Sequence, residues 1–306
     1  MIKTRTVLVL GAGAGVDFGF PSGRGLLQRV ISQLGMDKGN VTGGEYGRLY
    51  RVLQSLGHTS PFLSDFRSAL SLARPSSIDA LLESRREFVD VGKAAIACGL
   101  IPCEQTSSLY GEEASWYDVL LRSLTDGSLD DLRGNKLSVV TFNYDRSLEH
   151  FLFTALKNRW KLEDGDCAEL MKVVPIVHVY GQLGTLPELS GGGRKYGGHL
   201  GMEAVKQAVA DMQVLHEGES SPNLKRAQEL LQTAERVCFL GFGYHPTNLK
   251  RLRVRDLEKR DVLGSAYGPL GGETYRAHTA FGNVRIELGG ADEDVLRLVR
   301  ASRALI

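Results

Sequence analysis

The chain has 306 residues, 37 basic against 36 acidic side chains, a formal net charge of +1 and 42% hydrophobic residues, the balance of an ordinary globular protein built as one large domain, with or without an insertion. So even a charge balance leaves no electrostatic footprint for nucleic acid or an anionic membrane, and direct nucleic-acid binding is not expected; no apolar run reaches the ~20 residues that cross a bilayer, so no membrane association is expected either. The four cysteines, Cys98, Cys103, Cys167 and Cys238, form no Cys-x-x-Cys pair, which excludes zinc-ribbon spacing, argues against a disulfide framework and predicts a cytoplasmic chain, residues 1–6 being too short an n-region for a secretory signal.

Val7-Leu8-Val9-Leu10 reads as a buried strand that breaks into Gly11-Ala12-Gly13-Ala14-Gly15, and the leucine spacing after Pro21 predicts a helix over residues 22–34. Such a turn lets backbone N–H groups approach a pyrophosphate, with the helix dipole adding to the attraction. The fingerprint of a hydride-transferring dehydrogenase is incomplete, however. Val16 stands where its third glycine belongs, and Asp37 sits in a glycine-rich loop over residues 35–44 instead of ending a second strand.

Helices are predicted over residues 46–56, 61–73, 77–98 and 116–124. No strand pattern occurs between residues 22 and 132, so this stretch reads as a mainly helical insertion or cap within a single unit spanning residues 1–306. Strand signals return at residues 137–142, followed by a helix from Asn143-Tyr144-Asp145 to about Trp160, and again at residues 173–180. Glycine-rich loop then extends through Gly201, where Gly191-Gly192-Gly193-Arg194-Lys195 reads as a flexible, solvated basic segment. Helices over residues 202–216 and 222–236 lead into a strand at 237–240 that breaks into Gly241-Phe242-Gly243. A helix over 246–259, carrying Arg251, Arg253 and Arg255 on what reads as a solvated face, a strand over 284–288 and a helix over 292–303 complete the pattern. Apolar strands alternating with helices predict an α/β fold, a Rossmann-like parallel sheet with helices on both faces and a helical insertion, whose ligand crevice lies at the carboxyl ends of the strands.

Polar or glycine clusters occupy those strand ends: Gly11-Ala12-Gly13, Thr141-Phe142-Asn143-Tyr144-Asp145, His178-Val179-Tyr180-Gly181 and Gly241-Phe242-Gly243. An asparagine has both donors and an acceptor with which to orient water or hold a ribose, and the pair Asn143 and Asp145 equally suits a helix cap with an acidic first turn. Strand alternation places His178 and Tyr180 on one face. Asp17 faces a ligand or caps the adjoining turn. Trp116 and Tyr117 open an amphipathic helix and read as core.

These clusters, together with Gly19-Phe20-Pro21-Ser22-Gly23 and Gly241-Phe242-Gly243-Tyr244-His245-Pro246-Thr247-Asn248, resemble in order and spacing the sirtuin-like family, in particular the zinc-free branch found in bacterial anti-phage defence proteins. The resemblance runs over residues 5–290. It implies an NAD hydrolase that cleaves the nicotinamide-ribose bond to give nicotinamide and ADP-ribose, with NAD as substrate, no metal, a homo-oligomeric assembly and a possible separately encoded ATPase or nuclease partner. It implies cofactor contacts at Gly11, Ala12, Gly13, Asp17, Phe20, Pro21, Thr141, Gly241, Gly243 and Asn248, and catalytic positions at Asn143, Asp145 and either His178 or Tyr180. Two departures bear on the chemistry. The family has histidine directly before the glycine where Tyr180 stands here, and a small hydroxyl residue where Gly15 stands. Two other functions stay open, a non-catalytic subunit that binds an NAD derivative and an NAD-dependent protein deacylase, although the zinc-holding cysteine pairs of the latter are absent.

Overall fold

The computed structural model describes residues 1–35, 47–214, 221–266, 271–301 and 304–305. Its six strands are β1 (Thr6–Leu10), β2 (Leu137–Thr141), β3 (Ile176–His178), β4 (Arg236–Leu240), β5 (Asp261–Gly264) and β6 (Ile286–Leu288). They form one all-parallel sheet in the order β3-β2-β1-β4-β5-β6, with helices packed around it: an α/β Rossmann-like fold. Every residue of β1 is buried, as a central strand covered on both faces requires. The chain winds outward from β1 to β3, then returns to lay β4 on the other side of β1. That reversal is the topological switch point, where open α/β sheets bind ligands. Leu10 is level with Thr141 on one side and Leu240 on the other, so Gly11, Phe142 and Gly241 leave the sheet side by side.

Between residues 22 and 132 only helical elements occur among the described residues. They share one continuous apolar core with the sheet, Phe66, Ile96 and Trp116 being buried as completely as Leu8 and Phe239. The predicted helix over 77–98 is two helices, Ile78–Ser84 and Val89–Leu100, parted at Arg85, whose backbone is not helical.

Elsewhere the outline shifts at several element ends, the predicted helix over 202–216 stopping at Ala210. The predicted strand over 173–180 is reduced to β3. The N–H groups of Val173 and Val174 bond back to Leu170 and Met171, closing a helix, Asp164–Met171, that the residue pattern did not single out. The predicted helix over 246–259 stops at Arg251, because Arg253 takes a left-handed φ of 54° and a 3-10 turn, Val254–Leu257, comes next. Strand β5 and the helix Gly271–Phe281 went unpredicted, the former being four residues with an aspartate at one end and a glycine at the other. Residues 36–44, with Asp37, and residues 215–216 and 302–303 of the predicted loop and helices lie outside the described residues.

The glycine-rich basic segment is exposed as expected at Gly191, Gly192, Gly193 and Lys195, but Arg194 is buried. Arg146, at the start of the helix Ser147–Trp160, is completely buried with Glu104, the two forming a forked pair at 2.9 to 3.0 Å. Arg194 lies 2.7 Å from Glu104 Oε2, which Arg146 also reaches, and is itself buried. Arg146 also donates to the carbonyls of Gly184 (2.9 Å) and Arg194 (2.6 Å), and Arg194 to that of Leu183 (3.1 Å). One buried carboxylate is therefore shared by two guanidiniums that pin the loop after β3. Losing one member of such a group leaves an uncompensated buried charge. Glu104→Ala is accordingly expected to lower unfolding free energy by about 3–5 kcal/mol, measured by denaturant titration, with the conservative Glu104→Gln costing less.

Candidate functional site

At the switch point two glycine turns touch. The Gly11 N–H donates to the Leu240 carbonyl (3.0 Å) and the Gly13 N–H to that of Gly241 (2.9 Å). A Cβ on Gly11 would lie 2.6 Å from the Gly241 carbonyl oxygen, one on Gly13 2.8 Å from the Gly241 Cα, and one on Gly241 2.0 Å from the Ala14 nitrogen. Gly241 also needs a φ of 58°, which glycine adopts without strain. The glycines are thus required by backbone packing, whatever the ligand. The β1 turn passes into a 3-10 helix, Ala12–Phe18, closed by Gly19. Only then does Ser22 cap the helix Gly23–Leu34, accepting the Gly25 N–H at 3.2 Å, so the helix dipole is set one element further from the glycines than the expected strand-turn-helix order implies.

The expected cofactor contacts divide. Ala12, Gly13, Thr141, Gly243 and Asn248 surround the strand ends, Ala12 and Gly13 half-buried and Gly243 exposed. Phe20 is a core side chain packed over Gly15. Asp17 is exposed, and desolvation and then Asp294 raise its carboxyl above the usual range, so the charge it senses belongs to the C-terminal segment.

Asn143 links β1 to β2. Its N–H donates to Thr141 Oγ1 (3.0 Å) and its Nδ2 to the Gly11 carbonyl (3.0 Å), which leaves the carboxamide oxygen as an acceptor. Its backbone carbonyl accepts from His178 Nδ1 at 2.8 Å, while His178 Nε2 meets Glu149 Oε1. Nδ1 faces a carbonyl and must carry a proton, so Nε2 is a donor as well whenever Glu149 is ionised. Burial opposes the charged imidazole, but the Glu149 charge and hydrogen bond, with the Asn143 carbonyl, raise the His178 pKa above the ordinary value. With both ring nitrogens engaged, His178 has no lone pair free to accept a proton. Asp145 accepts the Ser147 N–H (3.2 Å) and hydroxyl, both on Oδ1, and Ser147 bonds Tyr117 at 2.7 Å. Burial raises the Asp145 pKa against the lowering effect of those bonds. Thr141, Asn143, Asp145, Glu149 and His178 line one cavity of about 10 Å³, room on the order of a single water.

Tyr180 does not share the His178 face as alternation predicted. β3 ends at His178, and the chain turns through Gly181 at a φ of 74°. The Tyr180 hydroxyl donates to Asn248 Oδ1 (3.2 Å) and accepts from Arg251 Nη1 (3.3 Å). Burial pushes this phenol up to about 12, with Arg251 pulling the other way, so Tyr180 stays protonated at neutral pH. Arg251, read as solvated, is instead buried and pairs at 3.4 Å with Glu83 of the helix Ile78–Ser84. The same helix offers Asp79, which accepts from Tyr144 at 2.7 Å. Trp116 Nε1 donates to the Ala14 carbonyl at 2.9 Å. The helical segment thus walls the strand ends. Glu149, Arg251, Asp79 and Glu83 are the members that the residue pattern missed. Glu149 could be read only as an acid in the first turn of its helix, with nothing along the chain to tie it to a histidine.

No group of three or more His, Cys, Asp or Glu side chains able to hold a metal ion occurs among the described residues. Because the His178 pKa is raised, the stabilisation from its pair with Glu149 is complete below the unfolded value of ~6.5 and is lost as pH rises through the higher folded value. Glu149→Gln should therefore lower the His178 midpoint followed by NMR and cost on the order of 1–3 kcal/mol at pH ~6, with a smaller loss above the folded midpoint. No protein-family model matches the chain, and no curated protein does.

Proposed function

We propose that the chain binds NAD across the β1/β4 switch point and hydrolyses its nicotinamide-ribose bond, releasing nicotinamide and ADP-ribose. The observation that carries this reading is Asn143: its carboxamide is tied to the glycine turn of β1 through Gly11 and shares a small polar cavity with Asp145. Cleavage breaks the bond from ribose C1′ to the nicotinamide ring, whose nitrogen keeps the electron pair, and forms one to a water oxygen, whose proton is released to solvent; positive charge builds on the ribose on the way. The free carboxamide oxygen of Asn143 orients the water or a ribose hydroxyl. The Asp145 carboxylate, with both of its hydrogen bonds on Oδ1, supplies negative charge to the transition state. His178 acts as a positioning residue that holds the Asn143 backbone, and Tyr180 as a neutral hydroxyl fixed by Asn248 and Arg251. In a cell such an activity depletes NAD. The resemblance supports a role in anti-phage defence, as a homo-oligomer or beside a separately encoded ATPase or nuclease.

The engaged histidine and the one-water cavity favour a second reading, a subunit that binds an NAD derivative without cleaving it. Incubating the purified chain at high concentration with NAD and following nicotinamide release separates the two. Under the first reading Asn143→Ala lowers turnover by at least about two orders of magnitude, equivalent to on the order of 3 kcal/mol, with the fold intact. Because both His178 ring nitrogens are engaged and the ring takes no proton from the water, no acid limb near pH ~6 is expected in the wild-type rate. Binding of ADP-ribose with no nicotinamide released under any condition, or unchanged turnover in Asn143→Ala, overturns the first reading.

A further inference from the structure

A second concave feature lies away from the Asn143 cavity, among the elements flanking β5. A groove of about 710 Å³ runs between Pro246–Arg251 with the Val254–Leu257 turn and the helix Gly271–Phe281. Leu249 and Val254 form its floor, and Tyr275 stands on its wall, 72% exposed and the second most exposed large hydrophobic side chain of the described residues. Aromatic side chains exposed beside an apolar cleft are the usual anchors of an interface. The groove border has Lys250, Arg253, Arg255 and Arg276 against Asp256 alone. Four cations to one carboxylate contrasts with a chain of 37 basic and 36 acidic residues, so the positive charge is concentrated here.

We infer that this groove is the docking site for an acidic amphipathic helix of a protein partner. An apolar floor between two helices takes side chains spaced i, i+3 or i+4, and i+7 from a third, and the basic border pairs with carboxylates on the flanks of that helix and steers its approach. The concave shape suits a rod better than a flat bilayer. The element that lines the groove also carries Asn248 and Arg251, whose side chains hold the Tyr180 hydroxyl, so the partner touches the helix that positions this strand-end tyrosine. Docking at the groove requires no NAD chemistry.

The test is selection of a displayed library of random peptides of about 16 residues, roughly four helical turns, on the full chain, followed by fluorescence anisotropy of the enriched peptides. Enrichment of acidic sequences with apolar residues at helical spacing is expected. Their affinity should fall at least about tenfold in the charge-reversed Lys250→Glu/Arg253→Glu variant and in Tyr275→Ala, while thermal unfolding and nicotinamide release stay as in the wild type, since all three side chains are exposed. No enrichment, enrichment of neutral or basic sequences, or affinity unchanged in both variants overturns the inference. So does a groove filled by another occupant. Concentration-dependent self-association that disappears in the charge-reversed variant assigns the groove to a second copy, and binding of anionic phospholipid vesicles that does so assigns it to a membrane.

Discussion

The contact on which the rest of this architecture depends is that of backbone against backbone where β1 and β4 end. With Cβ positions at Gly11, Gly13 and Gly241 falling 2.0 to 2.8 Å from atoms of the facing turn, no other residue type allows the two turns to approach. Their approach keeps β1 and β4 level at Leu10 and Leu240 and brings the β2 end within reach of the Gly11 carbonyl through Asn143. The crevice of the fold is thus a consequence of close packing first. The glycines at these turns are required with or without a ligand.

Around that contact the polar residues near the strand ends are committed to one another. Glu104 with its two arginines holds the loop after β3, Glu149 holds His178, and Arg251 joins Tyr180 to Glu83. Buried charges persist only where they are paired and hydrogen-bonded, and each group joins segments distant in sequence. The same commitments limit the chemistry. A histidine clamped between a carbonyl and a carboxylate is a support, and a phenol pushed up to about 12 is no base at neutral pH. The bonds of Asn143 and Asp145 use the carboxamide nitrogen of one and Oδ1 of the other.

The alternation of apolar runs with glycine turns and leucine-spaced helices made the α/β class legible, because strand burial and helix amphipathicity are written in nearest neighbours. The glycines at 11, 13 and 241 were legible as tight turns, and Thr141 to Asp145 as a polar strand end. Alternation failed at Tyr180 because β3 is only three residues long and a turn reorients the residues beyond it. β5 was missed because the preceding helix pattern continued past the left-handed Arg253 that stops it. Arg194 and Arg251 are buried where the residue pattern reads solvated, because charge along a chain says nothing of a carboxylate brought from elsewhere.

By itself, then, the sequence determined the α/β alternation, the glycine breaks after β1 and β4 and the residue types gathered at the strand ends, since these follow from local hydrophobic period and backbone freedom. Only tertiary structure decided the strand order β3-β2-β1-β4-β5-β6, the partners of Asn143, His178 and Arg251, and the reach of the helix Ile78–Ser84 to the strand ends. Those depend on contacts between residues dozens to more than a hundred positions apart, and the protonation of a buried group is fixed by whichever charge the fold sets beside it.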